Sequence, residues 1–349
     1  VGSEMCIRDR GTLYGRNAMG GLIKVHTKSP FSYQGTDFRI GAGTHNQYNT
    51  SVTHYHRMNE RFAFSAGGFY EYEGGFFRNA ALNNKKVDKG QSAGGRIRAI
   101  YLPSDNWKFD FNVSYEYGDQ GGYPYGLYNK ETGDVAKTAY NDESSYYRNL
   151  LNAGLNVEYQ AQNFTLSAVT GYQHLKDRMF LDQDFTAKNT YTLEQKQRIN
   201  TISEEIVMKS KESHRWQWAT GIFGFYQWLN TTAPVTFKED GMAMMDQMLG
   251  NFIPALVEVP MGPGRNMNIM PALKVTSARL PINGDFKTPL LNGALFHQST
   301  FRDLFGIDGV SFTAGLRLDY EKMKMDYNSG TAMDYTIGIT GQMLSLIHI

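Results

Sequence analysis

The sequence is nearly without cysteine: of its 349 residues only Cys6 carries a thiol. That absence excludes a disulfide scaffold and a thiolate metal cluster, and setting residues 1–10 aside, as below, removes the last cysteine nucleophile as well. Proline is scarce at 10 residues, and neither sign of charge dominates, with 35 Lys and Arg against 34 Asp and Glu. A chain so balanced has no basic field with which to hold nucleic acid. No stretch approaches the ~18 apolar residues of a membrane-crossing helix, and the mean hydropathy is -0.46. That absence leaves a β-barrel untouched, because its strands need only every second residue to be apolar. No nucleophile elbow or paired-carboxylate spacing stands out, and nothing demands an enzyme. His26, His45, His54 and His56 match no zinc spacing, so no metal and no cofactor is expected.

The ends differ in character from everything between them. "VGSEMCIRDR" and "SLIHI" look like adapter read-through, so residues 1–10 and 345–349 are left out of the fold reasoning as non-native. With no initiator methionine and no cleavable signal, the remainder reads as an interior piece of a longer protein.

Glycine, at 36 residues, and aromatics, at 13%, are plentiful, and the aromatics alternate. Phe109, Phe111, Val113, Tyr115 and Tyr117 interleave with Asp110, Asn112, Ser114 and Glu116, a period of two without an error. The same alternation runs through 151–159 and 310–321. Twelve strands are expected, at 35–45, 47–57, 61–73, 91–102, 106–118, 147–160, 163–176, 192–209, 214–229, 291–303, 309–327 and 331–341. Most exceed the usual ~5 to 6 residues of globular strands. In the strand at 214–229, Trp216, Trp218 and Trp228 share a parity. At ~3.3 Å per residue and a ~45° tilt, the outer two stand about 28 Å apart along the membrane normal, near the ~25 Å apolar band of an outer-membrane barrel. These three, with Trp107 at the opening of another strand, are read as aromatic girdles; the competing reading is a sandwich core. Short links ("RMNER", "LPSDN", "YQAQN", "KSKESH", "FGIDG") alternate with long ones at 74–90, 119–146, 177–191 and 230–290, the short first link around His45 and Asn46 being an exception on the long-loop side. A Greek-key sandwich has no reason to sort its loops by parity.

Between residues 11 and 30, "GTLYGRNAMGGLIKVHTKSP" combines a Leu-Tyr-Gly turn, a Gly-Gly pair and a short apolar strand that Pro30 ends. A phosphate-loop reading fails, because Gly21 and Leu22 stand where that loop needs Lys and Ser or Thr. Leu13, Tyr14, Gly15, Gly20, Gly21, Ile23, Thr27, Lys28 and Pro30 together resemble the end of the plug domain of TonB-dependent outer-membrane receptors. Lys24 departs from the asparagine these receptors usually carry there. The resemblance implies a plug inside an antiparallel up-and-down transmembrane barrel of about twenty-two strands. This chain would hold the plug's end (11–30) and about half the barrel (31–344, with a long extracellular loop at 230–290). It also implies import of a scarce nutrient, ferric siderophores being the commonest cargo, across the outer membrane of a Gram-negative cell. The partners implied are outer-membrane lipid, the TonB complex of the inner membrane, reached through the missing N-terminal region, and a small ligand such as an iron chelate. The alternatives are a passive porin, if 11–30 is the first barrel strand, and a soluble β-rich binding module.

Strand parity directs Arg96, Arg98, Asp110, Glu116, Glu158, Arg317 and Asp319 toward the lumen, and Phe223 and Phe225 with them. Mixed sign there suits a docked plug better than an ion-selective pore. Glu204 falls on the lipid parity and sits awkwardly there. In the longest loop, Met242, Met245, Leu249, Phe252 and Leu256 recur at helical spacing, with Asp240 or a neighbour as cap and Pro254 as terminator. Tyr123, Tyr125 and Tyr128 are candidate stacking residues in an extracellular loop.

An open half-barrel leaves edge N–H and C=O groups unpaired, at several kcal/mol for each one held in hydrocarbon. The isolated polypeptide is therefore expected to give no heat-resistant, membrane-inserted band on a gel. Stable insertion with channel conductance would overturn that.

Overall fold

The computed structural model describes residues 2–6, 22–211, 215–251, 257–262 and 265–343. Strands β1 (Gly2–Cys6) and β2 (Leu22–His26) form a separate two-stranded sheet, so residues set aside on sequence do pair with the plug-exit strand. The wall starts with β3 (Gly35–Gly43), β4 (Gln47–Arg57) and β5 (Phe62–Glu73). A small hairpin of β6 (Arg78–Asn79) and β7 (Lys85–Lys86) interrupts it. It resumes with β8 (Gly90–Ser104), β9 (Trp107–Gly121), β10 (Ser145–Gln160), β11 (Phe164–Asp182), β12 (Tyr191–Ser210) and β13 (Trp216–Thr232). After β14 (Val235–Phe237), helix α1 (Glu239–Gly250), β15 (Val257–Gly262) and β16 (Arg265–Val275) come β17 (Leu280–Arg302), β18 (Ser311–Met323), β19 (Asp326–Gly330) and β20 (Tyr335–Met343).

Thirteen strands join one antiparallel sheet, each long strand beside its successor from β3 to β18, with β14 and β19 extending the pairing on β17. This is a partial up-and-down β-barrel. All twelve expected strands are present, but the one expected at 309–327 is divided between β18 and β19, and two others differ in bounds or pairing. β17 begins at Leu280 and not near 291, because its first half pairs with β14, β19 and the end of β13. Pro281 and Pro289 had hidden that half, since proline speaks against a strand interior. The 230–290 loop shrinks accordingly and carries β14, α1, β15 and β16. The last strand, β20, pairs with β16 in a three-stranded sheet and not with the wall.

Register explains the two faces. Ile206, Ile222, Leu295 and Leu318 stand opposite one another in one row across four strands. Leu295 is 58% and Leu318 63% exposed, far more than a soluble domain leaves bare in a contiguous patch. Among the described residues no second layer covers this face. Glu204 lies on it, and the Thr170 hydroxyl donates to its carboxylate at 2.6 Å. Of the tryptophans, Trp107, Trp216 and Trp228 are exposed on the same face, while Trp218, on that parity, is half-buried. Trp107 packs on Tyr159 and Trp216 stacks on Phe301 at the short-turn rim; Trp228 meets Tyr226 toward the other rim. The opposite face is polar. There Gly221 leaves room for the buried Phe296 ring, whose atoms would lie 2.3 Å from a Cβ at that position.

Short turns close one rim and are stitched side by side. The Asn59 side chain accepts both Arg61 and Phe62 N–H at 2.8 Å, an Asx turn, and Leu102 N–H reaches Arg61 O at 2.8 Å. At the other rim the long loops interlock. Asn79, fully buried, donates to Tyr140 O at 2.9 Å, and the Tyr140 hydroxyl donates to Gly122 O at 2.9 Å. The Asp182 carboxylate accepts Asn141 and Asp142 N–H, and Asp142 pairs with Lys238 at 2.5 Å. Asp240 is not the helix cap: Lys238 precedes α1, and the Asp240 carboxylate accepts Asn189 N–H at 2.7 Å. Met242 is buried and Met245 and Leu249 are half-buried, while Met244 and Met248 are exposed. Phe252, Pro254 and Leu256 lie outside the described residues.

Burial pushes the Tyr140 phenol up to about 12. Because the neutral form is the one that fits, its contribution is complete below pH 10 and is lost as pH rises from 10 to about 12. Hydrogen exchange of residues 79–82 and 138–142 should accelerate over that window. Asn79→Ala, which strands a buried carbonyl and two turn N–H groups, should cost about 1–3 kcal/mol of loop stability at neutral pH, read by the same exchange.

Candidate functional site

The chain leaves β2 through Thr27, Lys28 and Pro30 and runs against the polar face near the short-turn rim. Arg98, on β8, holds it there. Its Nε and Nη2 donate to the two Asp110 oxygens at 2.8 and 2.6 Å, and Nη1 donates to Thr27 Oγ1 at 3.0 Å and Lys28 O at 3.4 Å. One edge of the guanidinium is spent on the carboxylate and another on the exit segment. A lysine has no fork with which to do both.

A second clamp secures the same segment. Lys28 Nζ lies 2.8 Å from Asp37 and 3.8 Å from the centre of the Tyr33 ring, while the Tyr33 hydroxyl donates to Asp37. The hydrogen bond that Lys28 donates to Asp37 holds its ammonium above its ordinary range. Tyr33 packs edge-on against the buried Tyr55, 5.1 Å between centroids, and Pro30 is fully buried. Between clamp and wall is a recess of about 410 Å³, lined by Thr27, Lys28, Tyr55, Arg96, Arg98 and Asp110.

The other lumen candidates lie on the same face by register, though not in one cluster. Arg96 borders the recess one layer from Arg98. Glu116 pairs with Arg148, a partner the sequence reading did not name. Glu158 accepts from Gln160 at 2.6 Å, and Arg317 meets Asp319 at 2.9 Å. Phe223 and Phe225 share the face and are half-buried, but the buried aromatic there is Phe296, 5.4 Å from the Arg317 guanidinium carbon. Phe296 had stood within the expected strand at 291–303, and the small residue opposite it, Gly221, was the available signal. Of the plug-exit residues, Leu13, Tyr14, Gly15, Gly20 and Gly21 lie outside the described residues, and Ile23 lies within β2. In the long loops the Tyr123 and Tyr125 rings stack and Tyr125 meets Phe185 edge-on at 4.8 Å, so these two pack within the loops; Tyr128 is exposed.

A long-stranded meander with one bare apolar face, a polar face of paired charges and a tethered N-terminal segment is a partial barrel wall with a segment docked on it. No family model matches the chain. Among solved structures it is similar to the ferric yersiniabactin uptake receptor FyuA of Yersinia pestis, at TM-score 0.56 and 13% identity, over 94% of this chain and 46% of that one. It is also similar to the ferric citrate transporter FecA in its unliganded form, at TM-score 0.50 and 9% identity, over 92% and 45%. The siderophore receptor PiuA of Acinetobacter baumannii matches at TM-score 0.50 and 12% identity, over 92% and 51%. The chain thus shares the fold of these siderophore receptors and spans about half their length.

Arg98→Ala leaves the buried Asp110 without its partner and releases Thr27, a loss of about 3 kcal/mol. Trypsin should then cut after Lys28 faster than in the unaltered protein. Arg98→Lys should restore little of the protection.

Proposed function

We propose that the chain is part of an outer-membrane receptor of a Gram-negative cell that imports ferric siderophores by TonB-energised transport. The observation that carries this reading is the Arg98 tether, which holds the exit of a segment resembling a plug against the polar wall. The pairing of Leu22–His26 outside the wall sheet favours a plug remnant over the first strand of a porin. The bare apolar rows suit lipid, and exposed apolar rows of this extent weigh against a soluble binding module. Balanced charge on the polar face supports plug docking over ion selection, because adjacent opposite charges cancel the field an ion would follow. The siderophore receptors that share the fold support the cargo class. The TonB partner would be reached through residues ahead of the exit segment, and the iron chelate would enter from the long-loop rim.

The test is uptake of radio-iron siderophore by cells that lack other such receptors and express the full reading frame containing this chain. Uptake should appear with the protein and stop when the proton gradient is dissipated. Passage that survives dissipation would replace the receptor reading with the porin.

A further inference from the structure

On the apolar face, at the long-loop end of β11 and β12, Lys176 stands opposite Arg198 and Arg178 opposite Lys196. Like charges directly across a ladder are destabilising, and here two successive layers carry them. Glu194 relieves part of the repulsion, lying 2.5 Å from Arg178 and 3.0 Å from Lys196. Among the described residues neither Lys176 nor Arg198 has an ion-pair partner, and both are exposed. The flanking strands place neutral residues at the same layers: Tyr147 and Asn149 on β10, Asn230 and Thr232 on β13. One strand further, Lys287 and Asp285 bring charges of opposite sign, and Asp285 accepts from Thr232 at 2.7 Å. On the other flank Asp119 of β9 lies in the layer of Arg178, two strands away; four basic side chains with Glu194 as the one acid on β11 and β12 therefore leave a net positive patch that points away from the polar face.

Its height on the wall is set by the layer beneath. There the Tyr172 hydroxyl donates to Asn200 at 3.0 Å, His174 meets Asn200 at 2.7 Å, and Trp228 stands opposite Asn200. Such amphipathic aromatics mark the boundary between hydrocarbon and headgroups. The patch begins one layer, about 7 Å along the strand, above it. Below run Ile202, Ile206 and Met208, a track for acyl chains interrupted by Glu204, whose carboxylate accepts from the Thr170 hydroxyl.

We propose that this patch binds the phosphate-bearing headgroup of a lipid in the outer leaflet, with its acyl chains lying on the β11–β12 wall. The inference rests on the membrane-barrel reading. Phosphate oxygens supply the acceptors that Lys176 and Arg198 lack, and the bidentate fork of Arg198 matches their geometry.

The protein expressed in its full reading frame, purified in detergent, is incubated with bis-phosphorylated lipid A, with its dephosphorylated form, or with inorganic phosphate, and retained ligand is counted by native mass spectrometry. The phosphorylated lipid should be retained, and the other two should not. At about one kcal/mol per basic residue near a headgroup, K176Q with R198Q should weaken retention about thirtyfold, while K176R with R198K should keep most of it. Equal retention of the phosphorylated and dephosphorylated lipids, or by the neutralised and unaltered proteins, would overturn the proposal. So would retention of inorganic phosphate alone, which points to a free-anion site. The comparison of lipids uses the unaltered protein, so it stands even where a variant fails to fold. A heat-modifiable band in the same preparation reports the barrel separately, and its loss would sink the membrane reading itself.

Discussion

A peptide N–H in hydrocarbon has no water to turn to, and that single deficit orders this wall. Every spanning residue must find its partner on a neighbouring strand, so β8 to β13 run 15 to 20 residues, in unbroken register from β9 to β13 and with one irregularity, between Tyr101 and Ser104, where β8 meets β9. Because side chains alternate across the pleat, an unbroken register also sorts every residue to one face. The bare Leu295 and Leu318 rows and the paired charges opposite them are two results of one constraint. Turns on the short side join adjacent strands with few residues and tie to one another, leaving the long side for loops that interlock through Asn79, Tyr140, Asp142 and Asp182.

Arg98 carries a second constraint. A charged group turned away from lipid still needs its donors satisfied, and the guanidinium has more of them than Asp110 accepts. The surplus edge is what reaches Thr27 and Lys28. Ion pairing within the wall and capture of the exit segment are therefore coupled in one side chain, and Tyr33, just ahead of β3, braces the same few residues together with Asp37 of β3 and Tyr55 of β4.

Strand existence was legible in the sequence wherever one face is apolar and the other polar, as in 107–117 or 311–321, because a period of two is visible in the residues themselves. It was masked in 280–290, where Leu280, Ile282, Phe286 and Leu290 do share a parity but Pro281 and Pro289 speak against a strand interior. Pairing partners were inferred for the meander from loop lengths alone. That reasoning failed for Tyr335–Met343, whose neighbour is a loop strand, β16, with no short turn to announce it. Parity placed Arg98 and Asp110 on one face but could not join them to Thr27, since a side-chain hydrogen bond across some seventy residues leaves no periodic trace. Arg148 was missed beside Glu116 for the same reason.

Charge is distributed differently on the two faces, and the difference separates internal from external partners. On the polar face, Arg98 with Asp110, Arg148 with Glu116 and Arg317 with Asp319 each close on a neighbour. Such pairs leave little field and suit a surface that meets another polar surface of the same protein. At the long-loop rim of the apolar face, Lys176 and Arg198 close on no acid among the described residues, at a cost to the ladder that holds them. On the membrane reading that cost falls where anionic headgroups, and not protein, would be the neighbours.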